Sequence, residues 1–433
     1  MNDSVKLITM CILLVPSAIA AQPSSQPSAG LSQHDEGAVP SPFADSVARG
    51  VVWRPPDAVG PALRELNRIR AAGATAVRLT APPPTASLFT RADSLDLQLF
   101  LDVPISHVTA SGLSDSLTAK RPLLTRIRAL SKRHSSIRYV GLARHANTTT
   151  PETCSVLRSW TTRLHRDSSD LRTYYVTPFR PSTDRCAGAV DLPLFDTRTW
   201  ENPVARLNTT TRDSMQAGLG ALGTWVAPNA GSGLRVPHSP ERQARFLERS
   251  LSGLEEDSAN SQAPVFTYRW ADRASTRLPN RHYGLHDASG GRRAAAKVVD
   301  GFYTGSQRVF AFPSGTAPPS SPHALILVGW GLLLLVAGLF AGRPFVRQTA
   351  YRYFVAHGFY RDAIREGRDV APWLNVLLLG VCAAAAGLIA TVGARLAASL
   401  PIPEHLLAVL PPILSTPLAG GIVHPHLGGL AVG

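Results

Sequence analysis

GVVW (Gly50–Trp53), TAVRLT (Thr75–Thr80), LQLFLDV (Leu97–Val103) and IRYVGL (Ile137–Leu142) are short, apolar and rich in branched side chains. Strands buried on both faces read this way. Four further runs of the same kind follow: Arg172–Val176, Ala189–Phe195, Ala217–Trp225 and Pro264–Trp270. Helical runs separate most of them. Leu63, Leu66 and Ile69 share one face of the first; Leu123, Leu124, Ile127 and Leu130 do so between strands three and four. Phe246, Leu247, Leu251 and Leu254 mark the helix before the last strand. Only strands five and six are joined by too little chain for a full helix. Eight strand–helix units within about 265 residues predict an α/β fold, a TIM (β/α)8 barrel over 48–313. An open doubly wound sheet is the alternative, but no GxGxxG follows the first strand to support its dinucleotide-binding form.

Outside this region the composition changes. Residues 1–20 read as a signal peptide: Lys6 gives a weak positive start, an apolar run spans Leu7–Ile19, and Ala18-Ile19-Ala20 fits a small-x-small cleavage site. An uncleaved anchor is the alternative, although the apolar core is short for a span. Residues 21–47 form a Ser/Pro-rich stretch expected to be a flexible leader, and 314–323 (SGTAPPSSPH) a second linker. Beyond it the chain changes solvent. Residues 324–342 are an unbroken apolar run, long enough for a first transmembrane helix, and 371–393 hold a second. An α-helical transmembrane region therefore follows the barrel. The intervening 343–370 carry Arg343, Arg347, Arg352, Arg361, Arg365 and Arg368, which assigns that loop to the cytoplasm and the barrel to the periplasmic or extracellular side. Tyr351, Tyr353, Phe354, Phe359 and Tyr360 lie among those arginines, so the loop is either an ordinary positive-inside connection or an amphipathic helix on the leaflet. Residues 394–433 are apolar with Pro411, Pro412 and Pro417, suggesting a kinked third span or a re-entrant piece. The Gly-rich end without a polar tail suggests a natural truncation or an incomplete reading frame.

The net charge is +14, and only Lys6, Lys120, Lys132 and Lys297 are lysines. The arginines are dispersed, without a dense basic stripe interleaved with aromatics, so nucleic acid is not an expected partner. The expected partners are the lipid bilayer and a glycan; a protein partner is left unassigned. In an oxidising compartment Cys154 and Cys186 can pair, while Cys382 falls in a hydrophobic run, where packing is its expected role. No CxxC and no Cys/His spacing suggests a metal, and no cofactor is expected.

The order of segments resembles the catalytic barrel of family 2 glycoside hydrolases and their retaining relatives. ARGVVWRP (48–55) is similar to the first strand, and GATAVRLTAPPP (73–84) to the second, with Arg78 at the family arginine. ADSLDLQLFLDVP (92–104) resembles the third segment and RHSSIRYVGLARHAN (133–147) the fourth. VFTYRWAD (265–272) and HYGLHDASGGRRAAAKVV (282–299) resemble the eighth strand and its closing turn and helix. The resemblance implies two glutamates about 5 Å apart, an acid/base after the fourth strand and a nucleophile on the seventh. Alignment places Arg144 and His145 where Asn-Glu belongs, and Ala221 (in GLGALGTW, 218–225) at the nucleophile position. An alanine cannot attack an anomeric carbon, whereas a histidine can act as acid or base.

Asp102, Asp196 and Asp272 are the candidate replacement carboxylates, from which an inverting pair can be drawn; capping a helix or pairing with arginine is their plainer role. Arg78, His145, Trp225, Tyr268 and Trp270 are candidate ligand-binding residues, the aromatics by stacking on sugar C–H faces. Trp53 reads rather as a rim plug. Three functions follow: an anchored, catalytically degenerate barrel that binds a carbohydrate or partner; an active glycoside hydrolase with a rearranged carboxylate pair; and a structural subunit of a membrane assembly.

Overall fold

The computed structural model describes residues 47–316, apart from 84, 106–109, 168–169, 199, 208–216, 229, 258–260 and 274–280, and then 323–348, 365 and 372–399. The signal peptide, the leader up to residue 46, residues 349–364 and 366–370 of the arginine-rich loop and the 394–433 segment beyond Ser399 lie outside the described residues.

Eight parallel strands close into a barrel: β1 (Arg49–Trp53), β2 (Ala76–Leu79), β3 (Gln98–Asp102), β4 (Ile137–Arg144), β5 (Arg172–Thr177), β6 (Leu192–Asp196), β7 (Gly218–Leu222) and β8 (Val265–Tyr268). The order is sequential, and β1 pairs with β8, Gly50 opposite Phe266 and Val52 opposite Tyr268. Each expected strand coincides with one of these. The expected seventh and eighth runs overshoot, because their last residues turn out of the ladder into loops.

The connections follow the hydrophobic periodicity. α1 (Val59–Ala71) buries Ala62, Leu66 and Ile69, one face of a 3.6-residue repeat. α2 is Ser87–Ser94. The single helix expected between β3 and β4 is two, α3 (Ala110–Ala119) and α4 (Arg121–Ser131), broken at Lys120 ahead of Pro122. α5 (Pro151–Asp167) follows β4. Two short 3-10 turns, Pro181–Thr183 and Ala187–Ala189, replace the helix between β5 and β6, where the sequence is too short for one. α6 (Pro203–Leu207) is brief. α7 (Pro240–Glu256) starts on Ser239, whose hydroxyl accepts from Arg242 N–H, with Pro240 at the first helical position. It buries Ala244, Leu247, Leu251 and Leu254. α8 (Ala294–Thr304) closes the ring and ends on left-handed Gly305. A disulfide joins Cys154 of α5 to Cys186 in the β5–β6 connection.

Two packed layers result. Between strands and helices lies the larger core, with Leu66, Leu99, Leu101, Tyr175, Leu219 and Leu247 among its members. Inside the barrel, period-two alternation points Val52, Ala76, Phe100, Tyr174, Leu194 and Phe266 inward. Phe100 stacks on Tyr139 at 4.0 Å and meets the edge of Phe266 at 4.6 Å. The lumen is thus filled below, and the next inward residues, Arg78 and Asp102, fall one layer higher. That step is what builds the polar site.

Separately, α9 (His323–Gly342) and α10 (Pro372–Ser399) are long and apolar enough to cross a membrane by length and composition, with mean hydropathy 2.4 over Leu325–Gly342 and 2.3 over Val376–Gly393. Leu327, Trp330, Leu333, Val376, Leu379 and Ile389 stand exposed on them. Cys382 is exposed among the described residues rather than packed.

Candidate functional site

The site lies at the strand C-termini, the face on which barrels of this kind assemble their loops. Arg78 and Asp102 sit at its floor, almost entirely buried at 3% and 0% exposure. The guanidinium grips the carboxylate in a fork, Nε to Oδ1 at 3.0 Å and Nη2 to Oδ2 at 2.7 Å. Its remaining nitrogen, Nη1, donates across the barrel to the Gly220 carbonyl of β7 at 2.8 Å. The Tyr174 hydroxyl donates to Asp102 Oδ1 at 2.6 Å. Burial and the Asp102 charge push that phenol well above its ordinary value, so it stays a donor. Burial would lower the Arg78 pKa, but the Asp102 charge outweighs it and the guanidinium is held charged. Gly141 makes this possible: a Cβ there would stand 2.7 Å from the Tyr174 ring and 3.0 Å from Asp102 Oδ1.

A second cluster surrounds Asp196, the last residue of β6. His145 Nε2 lies 2.9 Å from Oδ2. Arg198 brings Nη2 to Oδ2 at 2.5 Å and Nε to Oδ1 at 2.9 Å. Burial alone would raise the Asp196 pKa; the Arg198 guanidinium, with help from His145, overrides it and holds the carboxyl well below the usual range. A carboxylate so held is a poor proton donor near neutrality. His145 itself takes a left-handed backbone, φ 57°, and its N–H donates to the Val176 carbonyl at 2.6 Å.

Ala221 is paired opposite Asp196 and is 2% exposed. Its carbonyl accepts from both the backbone N–H and the hydroxyl of Thr197. Asp272 lies apart from these clusters, in the turn after β8. Its Oδ1 accepts from Tyr283 N–H at 3.0 Å and Gly284 N–H at 2.8 Å, and its Oδ2 pairs with Arg293 at 2.6 Å. Those bonds give it a turn-fixing role.

The aromatic candidates divide. Trp225 is 9% exposed, its ring stacked on His238 at 3.5 Å and 14°, with the Arg281 guanidinium 5.0 Å from its centroid. Trp270 is 4% exposed and packs on His286 at 4.4 Å. Trp53, read as a rim plug, instead packs in the strand–helix core and donates to Glu65 of α1 at 2.6 Å. Only Tyr268 stands half-open at the mouth. It meets Tyr283 edge-on at 5.3 Å, and Arg198 lies 4.2 Å over its ring.

Sequence reasoning missed three members, Tyr174, Arg198 and Arg269. Tyr174 is legible only as the inward residue of YYV in β5. Arg198 follows Asp196 by two residues, a spacing with no helical or strand signature. Arg269 reads as an ordinary strand-end residue, whereas Arg144 aligns at the family Asn position without a role. Arg144 Nε is buried without a hydrogen-bond partner, the Asp102 carboxylate standing 3.8 Å away. Arg269 donates to the Tyr268 phenol at 3.0 Å and forms no ion pair among the described residues. Arg78 and Arg144 thus approach Asp102 and Arg198 holds Asp196, while the carboxylate acting on Arg269 is Asp272.

No protein-family model matches the chain, and no curated protein matches it. Solved structures do. The chain is similar to a family 2 glycoside hydrolase, the β-galacturonidase from Eisenbergiella tayi bound to galacturonate, at 14% identity and TM-score 0.52, over 61% of this chain and 52% of that one. It is similar to a β-glucuronidase from an uncultured Clostridium sp. (12%, TM-score 0.52, 60% and 50%). The β-D-glucuronidase of Dictyoglomus thermophilum gives 13% identity and TM-score 0.50 over 61% and 51%. The chain spans about half the length of the structures it matches. The barrel thus has the fold of the family 2 catalytic barrel.

Proposed function

We propose that this protein is a membrane-anchored, extracytoplasmic barrel of glycoside-hydrolase type that binds an acidic saccharide and has lost ordinary retaining hydrolysis. One observation carries the reading: the two carboxylates at the floor of the mouth, Asp102 and Asp196, are buried and each is held by arginine. A nucleophile or acid must reach the anomeric centre, and a carboxylate locked in a buried fork cannot do so without breaking the pair. His145 occupies the expected acid/base position and Ala221 the expected nucleophile position.

The ligand class follows from charge. Arg144 Nε, buried without a hydrogen-bond partner 3.8 Å from Asp102, and Arg269, whose donor meets a phenol, leave guanidinium capacity at the mouth that an anion would satisfy. A sugar carboxylate meets that need with bidentate geometry. The similar structures support this choice, since one carries galacturonate. The anchor is supported by the composition of α9 and α10; export, and a cytoplasmic arginine-rich loop, by the reading of 1–20 and 343–370.

The test is turnover and binding by the full chain in detergent. Aryl β-galacturonides and β-glucuronides are expected to remain intact, while trigalacturonate quenches tryptophan fluorescence saturably and galactotriose does not. Hydrolysis abolished by Asp102→Asn or Asp272→Asn would replace this reading with an active enzyme using a rearranged pair. Neither turnover nor binding would favour a structural subunit.

A further inference from the structure

The chain does not leave the barrel where its last helix ends. α8 finishes at Thr304, and helices that follow strands in this fold run back toward the strand N-termini, the face opposite the candidate site. From there residues 307–315 climb the outside of α7 in the opposite direction. Near the lower end, Arg308 pairs with Glu255, and Gln307 N–H donates to the Gly301 carbonyl. Midway, Phe310 N–H donates to the buried carboxylate of Glu248 at 3.1 Å, and its ring packs on Phe302 and Phe312. Arg245 donates to the Phe310 carbonyl and lies 5.0 Å over Phe312. At the top, Leu234 N–H donates to the Pro313 carbonyl at 2.9 Å and Arg235 N–H to the Ser314 carbonyl at 2.8 Å. Partners thus step from 255 through 248 and 245 to 234 as the strap rises.

Residues 234 and 235 belong to the loop between β7 and α7, on the rim of the candidate site. Two glycines allow the strap to dock there. Gly233 has φ 124° and Gly315 φ 64°, and a Cβ on Gly233 would fall 2.4 Å from Gly315 Cα. α7 has 17 residues, so the strap moves the exit point up by roughly 25 Å. Seven residue steps separate Thr316 from His323, where α9 begins, a reach of at most roughly 25 Å.

We infer that this strap makes the strand-end face the membrane-proximal face of the barrel, so that the ligand of the mouth is one presented at the membrane surface. The inference rests on the anchored reading above. A tether leaving from α8 directly would put the opposite face next to the bilayer. By reversing the exit, the strap brings the arginine-lined mouth toward the lipid headgroups. The ligand class narrows accordingly, from an acidic saccharide in general to one carried at a membrane.

Energy transfer to headgroup-labelled lipid tests this in the full chain in nanodiscs. In a Cys11→Ala/Cys382→Ala background, Cys154 and Cys186 being bridged, a donor dye is placed either at Glu201→Cys, in the exposed β6–α6 loop of the mouth face, or at Ser135→Cys, in the exposed α4–β4 loop of the opposite face. Transfer from position 201 is expected to exceed that from 135 by at least about twofold, given the height of the barrel. A 20-residue Gly/Ser insertion after Thr316 is expected to abolish the difference. Equal transfer, stronger transfer from 135, or a difference that survives the insertion overturns the inference while leaving anchoring intact. Failure of the chain to co-migrate with nanodiscs overturns anchoring, and this inference with it.

Discussion

Replacing Asp102 with alanine should cost more stability than any other single truncation of an aspartate in the barrel. The substitution leaves Arg78, 3% exposed, as a buried cation without its counter-charge, retaining only the bond to the Gly220 carbonyl. Removing one partner of a buried pair costs about 3–5 kcal/mol. Tyr174 loses its acceptor as well, an orphaned buried hydroxyl worth about 1–3 kcal/mol, partly overlapping the first loss. A combined cost of about 4–6 kcal/mol follows, which lowers the melting temperature of a domain this size by roughly 10–20 °C. The companion variant Arg78→Met/Asp102→Leu removes both charges together and should recover most of the loss, since apolar replacement of a whole buried pair is close to neutral. Urea unfolding of the full chain in detergent, read by tryptophan fluorescence and supported by calorimetry, measures each corner of the cycle. A loss below about 1 kcal/mol for Asp102→Ala, or a double variant no more stable than the single, would refute the account of the floor as a closed ion pair.

Three further outcomes are expected. Cys154→Ser/Cys186→Ser opens a crosslink of sequence separation 32 and should lose about 3–4 kcal/mol in the same urea assay, with the reduced wild type matching it. The Asp196 carboxyl has a depressed folded-state pKa, so its contribution is complete above the unfolded-state value and disappears as pH falls through the folded value; an acid unfolding series should show Asp196→Asn less stable than wild type at neutrality and the gap closing below about pH 4. Gly141→Ala forces a Cβ to within 2.7 Å of the Tyr174 ring and should cost about 1–3 kcal/mol, with crystallography showing Tyr174 displaced from Asp102.

The sequence carried the barrel because burial leaves a local signature. Eight apolar runs at strand length and helical faces such as Leu66/Ile69 or Leu247/Leu251/Leu254 are written in neighbouring residues, and so is the missing helix between β5 and β6. The break at Lys120 was less visible, since both halves of that helix bury leucines at the same period. Asp102 and Asp196 could be named from their strand-end positions, which must fall at the mouth, and Arg78 and His145 from the family resemblance. What they do there could not be. The fork from Arg78 to Asp102 spans 24 residues and its third arm reaches Gly220, 142 residues away. His145 meets Asp196 across 51 residues. Such partners are chosen by barrel closure and strand register, which no local pattern encodes. The same holds for the rim: Trp225 and Trp270 look like stacking platforms in sequence, and only their packing on His238 and His286 shows those rings occupied. The strap along α7 is the furthest case, since Ser314 and Gly315 read as linker until the fold brings Gly233 against them. By itself, then, the sequence determined the elements and the face on which chemistry would gather. Tertiary structure decided which charges are paired, which rings are covered and from which end the chain departs, because each of these depends on contacts between residues far apart in the chain.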